Sequence, residues 1–283
     1  MKVMEYKDIY DCGNKLNKLA FNRTFSLATG SKEDYYNRFV RKTDYLELNN
    51  VENDFIGDKF VRSFESYSNP QNQKFSMSFN LKEDLNRAIK LPKVYKSSNK
   101  NLEQIFFERS SKREFKNTIW SLQDVSNLFS GIRVFSNKHR SYASGGGLYP
   151  INLYFFAQKI RGLKKMAVYR YQPVTHTVLE IGEIHQNNLS AYAHIENFVN
   201  LENISMMMFL VNNRNENEFK YGNRGTIFSL VEAGEMIQTI ALCAAEYNYK
   251  MCQLGGYNIE KSNVELKIDG VNTFIAACAV VGS

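Results

Sequence analysis

The chain has little of several residues that mark protein classes. It carries 4 cysteines in 283 residues, Cys12, Cys243, Cys252 and Cys278, and no two form a C-x-x-C pair. Histidine is equally scarce, at His139, His176, His185 and His194. Together these counts argue against a structural zinc site. Size and cysteine spacing argue against a disulfide framework. Three of the cysteines stand in apolar runs and read as small buried hydrophobes. With 4 prolines and 16 glycines the chain is neither collagen-like nor proline-rich. No window of about 18 apolar residues is read in the sequence, so no membrane span is expected. The start, MKVMEYKDIYDCGNKLNK, lacks the apolar stretch of a secretory signal. The expectation is a soluble, cytoplasmic protein.

What is present is ordinary globular composition: 43% hydrophobic and 23% charged residues, with 17 Tyr and 20 Phe beside a single Trp. That excludes global disorder. The 36 basic and 29 acidic residues leave a net charge of +7. This mild excess fits an anionic cofactor or an acidic peptide partner. It does not point to nucleic acid, because the basic residues are scattered and no recognition motif accompanies them.

Residues 1–100 are polar, rich in Asn, Lys and Tyr, and weakly periodic. The run KVYKSSNKN (93–101) reads as a linker or surface loop. A boundary is placed there, with an N-terminal extension at 1–100 and a main domain at 101–283. In the main domain NLEQIFFE (101–108) reads as a short helix. SLQDVSNLFSG (121–131) reads as a helix capped by Ser121 and stopped by Gly131. INLYFFA (151–157) alternates as a strand does. MAVYRY (166–171) and THTVLEI (175–181) flank a turn at Gln172-Pro173-Val174 and read as a hairpin. Residues 187–200 look helical. ISMMMFLV (204–211) and TFIAACAVV (273–281) have the length of buried strands. The strongest helical pattern covers 226–248, with Thr226 as its expected cap. This order of elements implies an α+β fold, helices packed on a mainly antiparallel or mixed sheet.

Four clusters can carry chemistry. In ERSSKREF (108–115), three cations and two hydroxyls stand within five residues, a donor set that suits a phosphate; a solvated basic loop is the plain alternative. SYASGGGLYP (141–150) puts three consecutive glycines before a strand, which lets backbone approach a flat ligand or a phosphate. It is not a Walker loop, a dinucleotide fingerprint or a nucleophile elbow; a surface loop remains the alternative. EFKYGNRG (218–225) sets Lys220 beside Tyr221. Such a pair can move a proton if burial or a nearby cation such as Arg224 lowers the amine; otherwise it is a solvated turn. In EAGEMIQ (232–238), Glu232, Glu235 and Gln238 share one helix face, turned either to a ligand or subunit or to water.

Taken in order, these clusters resemble the nitroreductase-like flavoproteins, and within them the SagB-type thiazole/oxazole dehydrogenases. The likeness rests on Arg109–Phe115, Ser144 through Pro150, Glu232-Ala233-Gly234 through Gln238, and Gly255-Gly256-Tyr257. It covers about residues 102–283. Lys220-Tyr221 before the long helix resembles the microcin-type azoline oxidases most. The resemblance implies an FMN-dependent nitroreductase-like fold, forming a homodimer with flavin at the subunit interface. Arg109, Ser110, Ser111 and Arg113 would hold the FMN phosphate and ribityl chain. Ser144, Gly145, Gly146 and Leu148 would line the isoalloxazine, and Gly255 and Gly256 would approach its other part. Lys220 and Tyr221 would be catalytic, with no metal involved. The implied reaction oxidises a thiazoline or oxazoline in a ribosomally made peptide to the azole, in bacteriocin or toxin maturation, with dioxygen reoxidising the flavin. Its partners would be a cyclodehydratase, a leader-peptide-binding subunit and the azoline-containing precursor peptide. Three other readings stay open: an NAD(P)H-dependent nitro- or quinone reductase, an inactive nitroreductase-like scaffold subunit, and a nucleic-acid-binding module.

Overall fold

The two apolar runs expected to be buried strands form the middle of the sheet. The computed structural model describes residues 83–84, 87–94, 100–135, 139–186, 188–193, 198–221 and 223–283; the side chains of Asn215, Phe219, Lys220 and Asn223 are excepted. Most of the expected N-terminal extension, Cys12, most of the 93–101 linker, His194, Gly222 and the Lys220 side chain thus lie outside the described residues.

Seven strands make one sheet: β1 (Ala88–Lys90), β2 (Ile151–Ala157), β3 (Ala167–Gln172), β4 (Thr177–Glu183), β5 (Met206–Asn213), β6 (Lys250–Leu254) and β7 (Thr273–Gly282). Their order is β1-β4-β3-β2-β5-β7-β6, and every neighbouring pair is antiparallel. Among the described residues the α-helices are α1 (Leu102–Glu108), α2 (Leu122–Leu128), α3 (Glu218–Tyr221), α4 (Asn223–Glu246) and α5 (Ile259–Leu266).

Central strands are covered on both faces, which is why they read as continuous apolar runs. Along β5, Met206, Met208 and Leu210 join one core with Val125, Phe129, Met236 and Ile240. Met207, Phe209 and Val211 join a second core on the other face with Tyr192, Leu201 and Leu266. The first core is roofed by α4, which spans about 36 Å at 1.5 Å per residue. Its inner stripe is Ala233, Met236, Ile237, Ile240 and Ala244, at helical spacing. The opposite face leaves Val231, Gly234 and Gln238 exposed.

Short signals were also legible. Asn101 and Ser121 cap α1 and α2 with complete capping boxes, each side chain accepting the N–H three residues on. β3 and β4 form the expected hairpin, its turn closed by Glu83: the carboxylate accepts the N–H groups of Val174 at 2.8 Å and Thr175 at 2.9 Å.

Four expectations need correction. Thr226 does not cap α4: the helix begins at Asn223, and the Thr226 hydroxyl donates to Glu218 Oε1 at 2.7 Å, stitching α3 to α4. The chain does not stop at Gly131 but runs on as a 3-10 turn over Ser130–Ile132. Within 187–200 the described residues form only a 3-10 turn at Leu189–Ala191, after which Ala193 bridges to Tyr257; Tyr192 is drawn into the second core instead of extending a helix. Among the described residues one helix, Arg224–Glu246, is long and apolar enough to cross a membrane, with a mean hydropathy of 1.4 over its best window. Here it is the central helix of the first core, and it carries Glu232 and Glu235.

Candidate functional site

The Arg/Ser cluster lies along β6, and its last arginine reaches the recess of Gly255. α1 ends at Glu108, and the chain then runs extended beside β6: Ser111 bridges Met251 in parallel, and the Lys112 N–H donates to Met251 O at 2.9 Å. Lys250 Nζ returns a bond to Glu114 O at 2.8 Å. Docking on the edge strand β6 thus fixes a basic loop that the sequence alone left free. A cavity of about 350 Å³ opens between Arg109, Ser110 and Ser111 on one side and Ala244 and Met251 on the other. Small alanines on the last turns of α4 create this space. Arg113 flanks a neighbouring recess with Gln253 and Gly255, where β6 ends. Among the described residues, no ion pair engages Arg109, Lys112 or Arg113. Their donors point to no internal acid.

The glycine-rich loop is built at the other end of α4. Gly145–Gly147 make a 3-10 turn, with Gly146 and Gly147 at φ 65° and 67°. Only glycine enters that left-handed region without strain. The loop is clamped by acids of α4. The Ser144 hydroxyl donates to Glu232 Oε2 and accepts the Tyr149 N–H at 2.8 Å, and the Ala143 N–H donates to Glu235 Oε2 at 2.9 Å. Glu232 is 2% exposed, and burial pushes its carboxyl up to about 7, against the opposing pull of the Ser144 hydrogen bond and the Arg140 charge. The question left open by sequence, water or ligand, therefore has a third answer: Glu232 and Glu235 hold the loop. Gln238 faces outward.

Lys220 and Tyr221 end α3 beside this loop. The Tyr221 ring meets Phe228 edge-on, with centroids 5.1 Å apart, and Phe228 lies against Gly145, where a Cβ would come within 3.2 Å of its ring. The Leu148 side chain is 1% exposed.

The expected site residues thus fall into two groups. Arg109, Ser110 and Ser111 gather near the end of α4, where Ala241, Ala244 and Ala245 stand, while Arg113 and Gly255 line a neighbouring recess with Phe198 and Cys252, followed in the chain by Gly256. Ser144, Gly145, Gly146, Lys220 and Tyr221 gather near Phe228 and Glu232. With 228–235 contacting one group and 241–245 the other, the two are roughly 15–20 Å apart along one helix.

Residues that the sequence did not single out lie close by. Arg140 is 8% exposed; its guanidinium donates to Tyr142 Oη at 2.8 Å and lies 4.1 Å above the Tyr149 ring. Burial pushes the Glu216 carboxyl up to about 7, against the Asn213 hydrogen bond and the charges of Arg140 and Arg170. No linear motif joins these positions. Among the described residues no His/Cys/Asp/Glu group could hold a metal ion.

Comparison with known proteins agrees with this architecture. The family model described as the nitroreductase family matches residues 107–283. MJ1384 of Methanocaldococcus jannaschii, assigned to the nitroreductases, is 24% identical over 170 residues, covering 59% of this chain and 84% of its own. Among solved structures, a protein of Ralstonia eutropha assigned to the nitroreductases matches with a TM-score of 0.57 and 21% identity, over 69% of this chain and 89% of that one. A chain of the Escherichia coli microcin synthetase McbBCD complex, solved with truncated pro-MccB17 bound, matches with a TM-score of 0.56 and 17% identity, over 79% of this chain and 97% of that one. On the extent of the family match, borne out by the antiparallel sheet and its long roofing helix, this chain belongs to the nitroreductase family.

Proposed function

We propose that the protein is an FMN-dependent azoline dehydrogenase that oxidises thiazoline or oxazoline rings in a ribosomally made peptide. The observation that carries this reading is the position of Lys220-Tyr221. The pair ends the short helix before α4, and through Phe228 it adjoins the glycine-rich loop. A simple hydride exchange between nicotinamide and flavin needs no such proton-moving pair at that place.

The residues present fit FMN. One guanidinium, an ammonium and two hydroxyls line one cavity, where the single acid, Glu108, is paired with Lys100, and Arg113 stands in the adjoining recess; such donors suit a phosphate. At Gly255 a Cβ would meet nothing within 4 Å, so the floor beyond β6 is open to a flat ring. The separation along α4 supports a homodimer. Arg109–Arg113 with Gly255-Gly256 of one protomer, and Ser144–Leu148 with Lys220-Tyr221 of its partner, would complete one site.

In this scheme Arg109, Ser110, Ser111 and Arg113 bind and orient the phosphate end. Ser144, fixed by Glu232, sets the glycine-rich backbone against the ring plane. Lys220 and Tyr221 take the acidic α-proton of the azoline, whose neighbouring CH2 then loses hydride as the ring becomes aromatic. When bound, FMN supplies the two-electron acceptor and passes the electrons to dioxygen. Azoline formation needs a cyclodehydratase, and presentation of the peptide needs a leader-binding subunit. The fold likeness to a chain of a synthetase complex with a bound pro-peptide agrees with such partners.

The test is aerobic incubation of flavin-loaded protein with a thiazoline peptide. A product lighter by two hydrogens, lost in Lys220→Ala and Tyr221→Phe, is expected; native rates in both variants would overturn the assignment. The names of the nitroreductase relatives favour a second reading, an NAD(P)H-dependent nitro- or quinone reductase. Rapid bleaching of the flavin by NADPH, without turnover of the azoline peptide, would select it. A colourless protein that takes up no FMN would leave the inactive scaffold.

A further inference from the structure

A second cavity, of about 280 Å³, opens where β2 begins and β3 ends. None of the residues assigned above to FMN or to proton transfer lines it, and it shares no lining residue with the Arg/Ser cavity. Its polar walls include Arg140, Arg170, Glu83 and Glu216, and its aromatic and apolar walls include Tyr149, Tyr171 and Met236.

Arg140 is 92% buried by its 8% exposure, yet among the described residues no carboxylate pairs with it. Its partners are the Tyr142 hydroxyl and the Tyr149 ring face. Arg170 likewise has no acid partner, only a long contact of 3.5 Å to Gln172 Oε1 and a bond with the Tyr154 hydroxyl. Two carboxylates line the cavity, and neither is in ion-pair contact with these cations. Both oxygens of Glu83 are taken up by Val174 and Thr175 in the hairpin turn. Glu216 Oε1 accepts from Asn213 Nδ2 at 2.8 Å, and burial pushes its carboxyl up to about 7 against the pull of the Arg140 and Arg170 charges. A guanidinium that is buried and makes no ion pair keeps donors for an anionic ligand.

The chemistry of the walls narrows the anion. A volume of about 280 Å³ stands at the small end of ligand sites. Tyr149, Tyr171 and Met236 offer an apolar bed. Glu216 beside the two arginines disfavours a dianionic phosphate but can accept an N–H from a ligand that also carries a single negative charge. We infer that this cavity binds the carboxylate of an acylated α-amino acid with an apolar side chain, either as a free small molecule or as the C-terminal residue of a peptide. The carboxylate lies between Arg140 and Arg170, the acylated N–H faces Glu216, and the side chain packs on Tyr149 and Tyr171. This inference does not depend on flavin binding or on the azoline reaction.

The experiment is calorimetric titration of the full chain with N-acetyl-L-phenylalanine, its C-terminal amide, inorganic phosphate, and a hexapeptide ending in phenylalanine with a free or amidated C-terminus. The acid is expected to bind one per chain and the amide at least tenfold more weakly. Arg170→Gln should weaken the acid at least tenfold with an unchanged melting temperature, which separates ligand loss from misfolding at the more buried Arg140. Binding of the free-ended hexapeptide as well assigns the peptide source; binding of the small acid alone assigns the free molecule. Equal binding of acid and amide, tighter binding of phosphate, or no binding of any carboxylate at millimolar concentration would overturn the proposal.

Discussion

The Ser144 hydroxyl donates to the buried carboxylate of Glu232, and one turn on, Glu235 accepts the Ala143 N–H. Two acids of one helix thus grip both sides of the residue that opens the glycine-rich loop. Glu232→Ala leaves the Ser144 hydroxyl without its acceptor and frees the loop, at a cost of roughly 1–3 kcal/mol. Glu232→Gln keeps an acceptor and should cost clearly less. Urea denaturation of the two variants beside the wild type measures the difference. Equal stability of Glu232→Ala and the wild type would show that the clamp does not hold the loop.

The same group makes stability depend on pH. Burial holds the Glu232 and Glu216 carboxyls up to about 7 in the folded chain. An exposed glutamate in the unfolded chain titrates near 4.3. Between these values the folded state binds the extra proton, so stability contributed by each neutral acid is full below about 4.5 and declines as pH rises to about 7. Denaturation midpoints measured from pH 5 to pH 8 should fall through this window, and Glu232→Gln should remove its share of the slope.

His176 acts in the opposite direction. Ser126 Oγ donates to Pro92 O at 2.6 Å and stands 2.8 Å from His176 Nε2, while the Tyr171 hydroxyl lies 2.7 Å from Nδ1. Since the Ser126 proton goes to Pro92, Nε2–H must donate to Ser126, and Nδ1 accepts from Tyr171. The ring is a neutral tautomer assigned from this network. Burial, with the Arg133 charge, lowers its pKa to about 4. Its stabilisation is therefore full above about 6.5 and lost as pH falls through about 4. His176→Asn suits the position, whose φ is 54°, because Asn tolerates the left-handed region. That variant should be less stable at pH 7 and lose less on acidification, as stability curves at pH 4.5 and 7 would report.

The Arg/Ser segment carries the flavin reading. Arg109→Ala and Ser111→Ala each remove a donor to the proposed phosphate, and charge-assisted bonds contribute about 1.5–3 kcal/mol. FMN affinity should fall roughly tenfold to a hundredfold for Arg109→Ala. Lys220→Ala and Tyr221→Phe should leave it within about twofold, because neither belongs to the cradle. Titration of FMN fluorescence checks all four variants.

Much of the scaffold was legible because its signals are local. Capping residues Asn101 and Ser121, the alternation of β2 and the buried runs of β5 and β7 each announce their structure within one element. The start of α4 was misread because Thr226 is a good cap by type, but Glu218 claims its hydroxyl across the α3–α4 junction. Periodicity showed that Glu232 and Glu235 share a face; it could not show that the face meets a loop ninety residues earlier in the chain. The arginine cavity was invisible for the same reason. Arg140, Arg170 and Glu216 belong to three separate segments, and only the sheet brings them to one wall. The spacing of the Arg/Ser and glycine-rich clusters along α4 is likewise a property of packing, not of sequence order.

The account turns on the flavin. The most direct measurement is the visible spectrum of the purified protein, with any released cofactor identified by mass. Flavin absorption, with FMN released at about one per chain and lost in Arg109→Ala, is the predicted result. A colourless protein that stays colourless when FMN is added would contradict it.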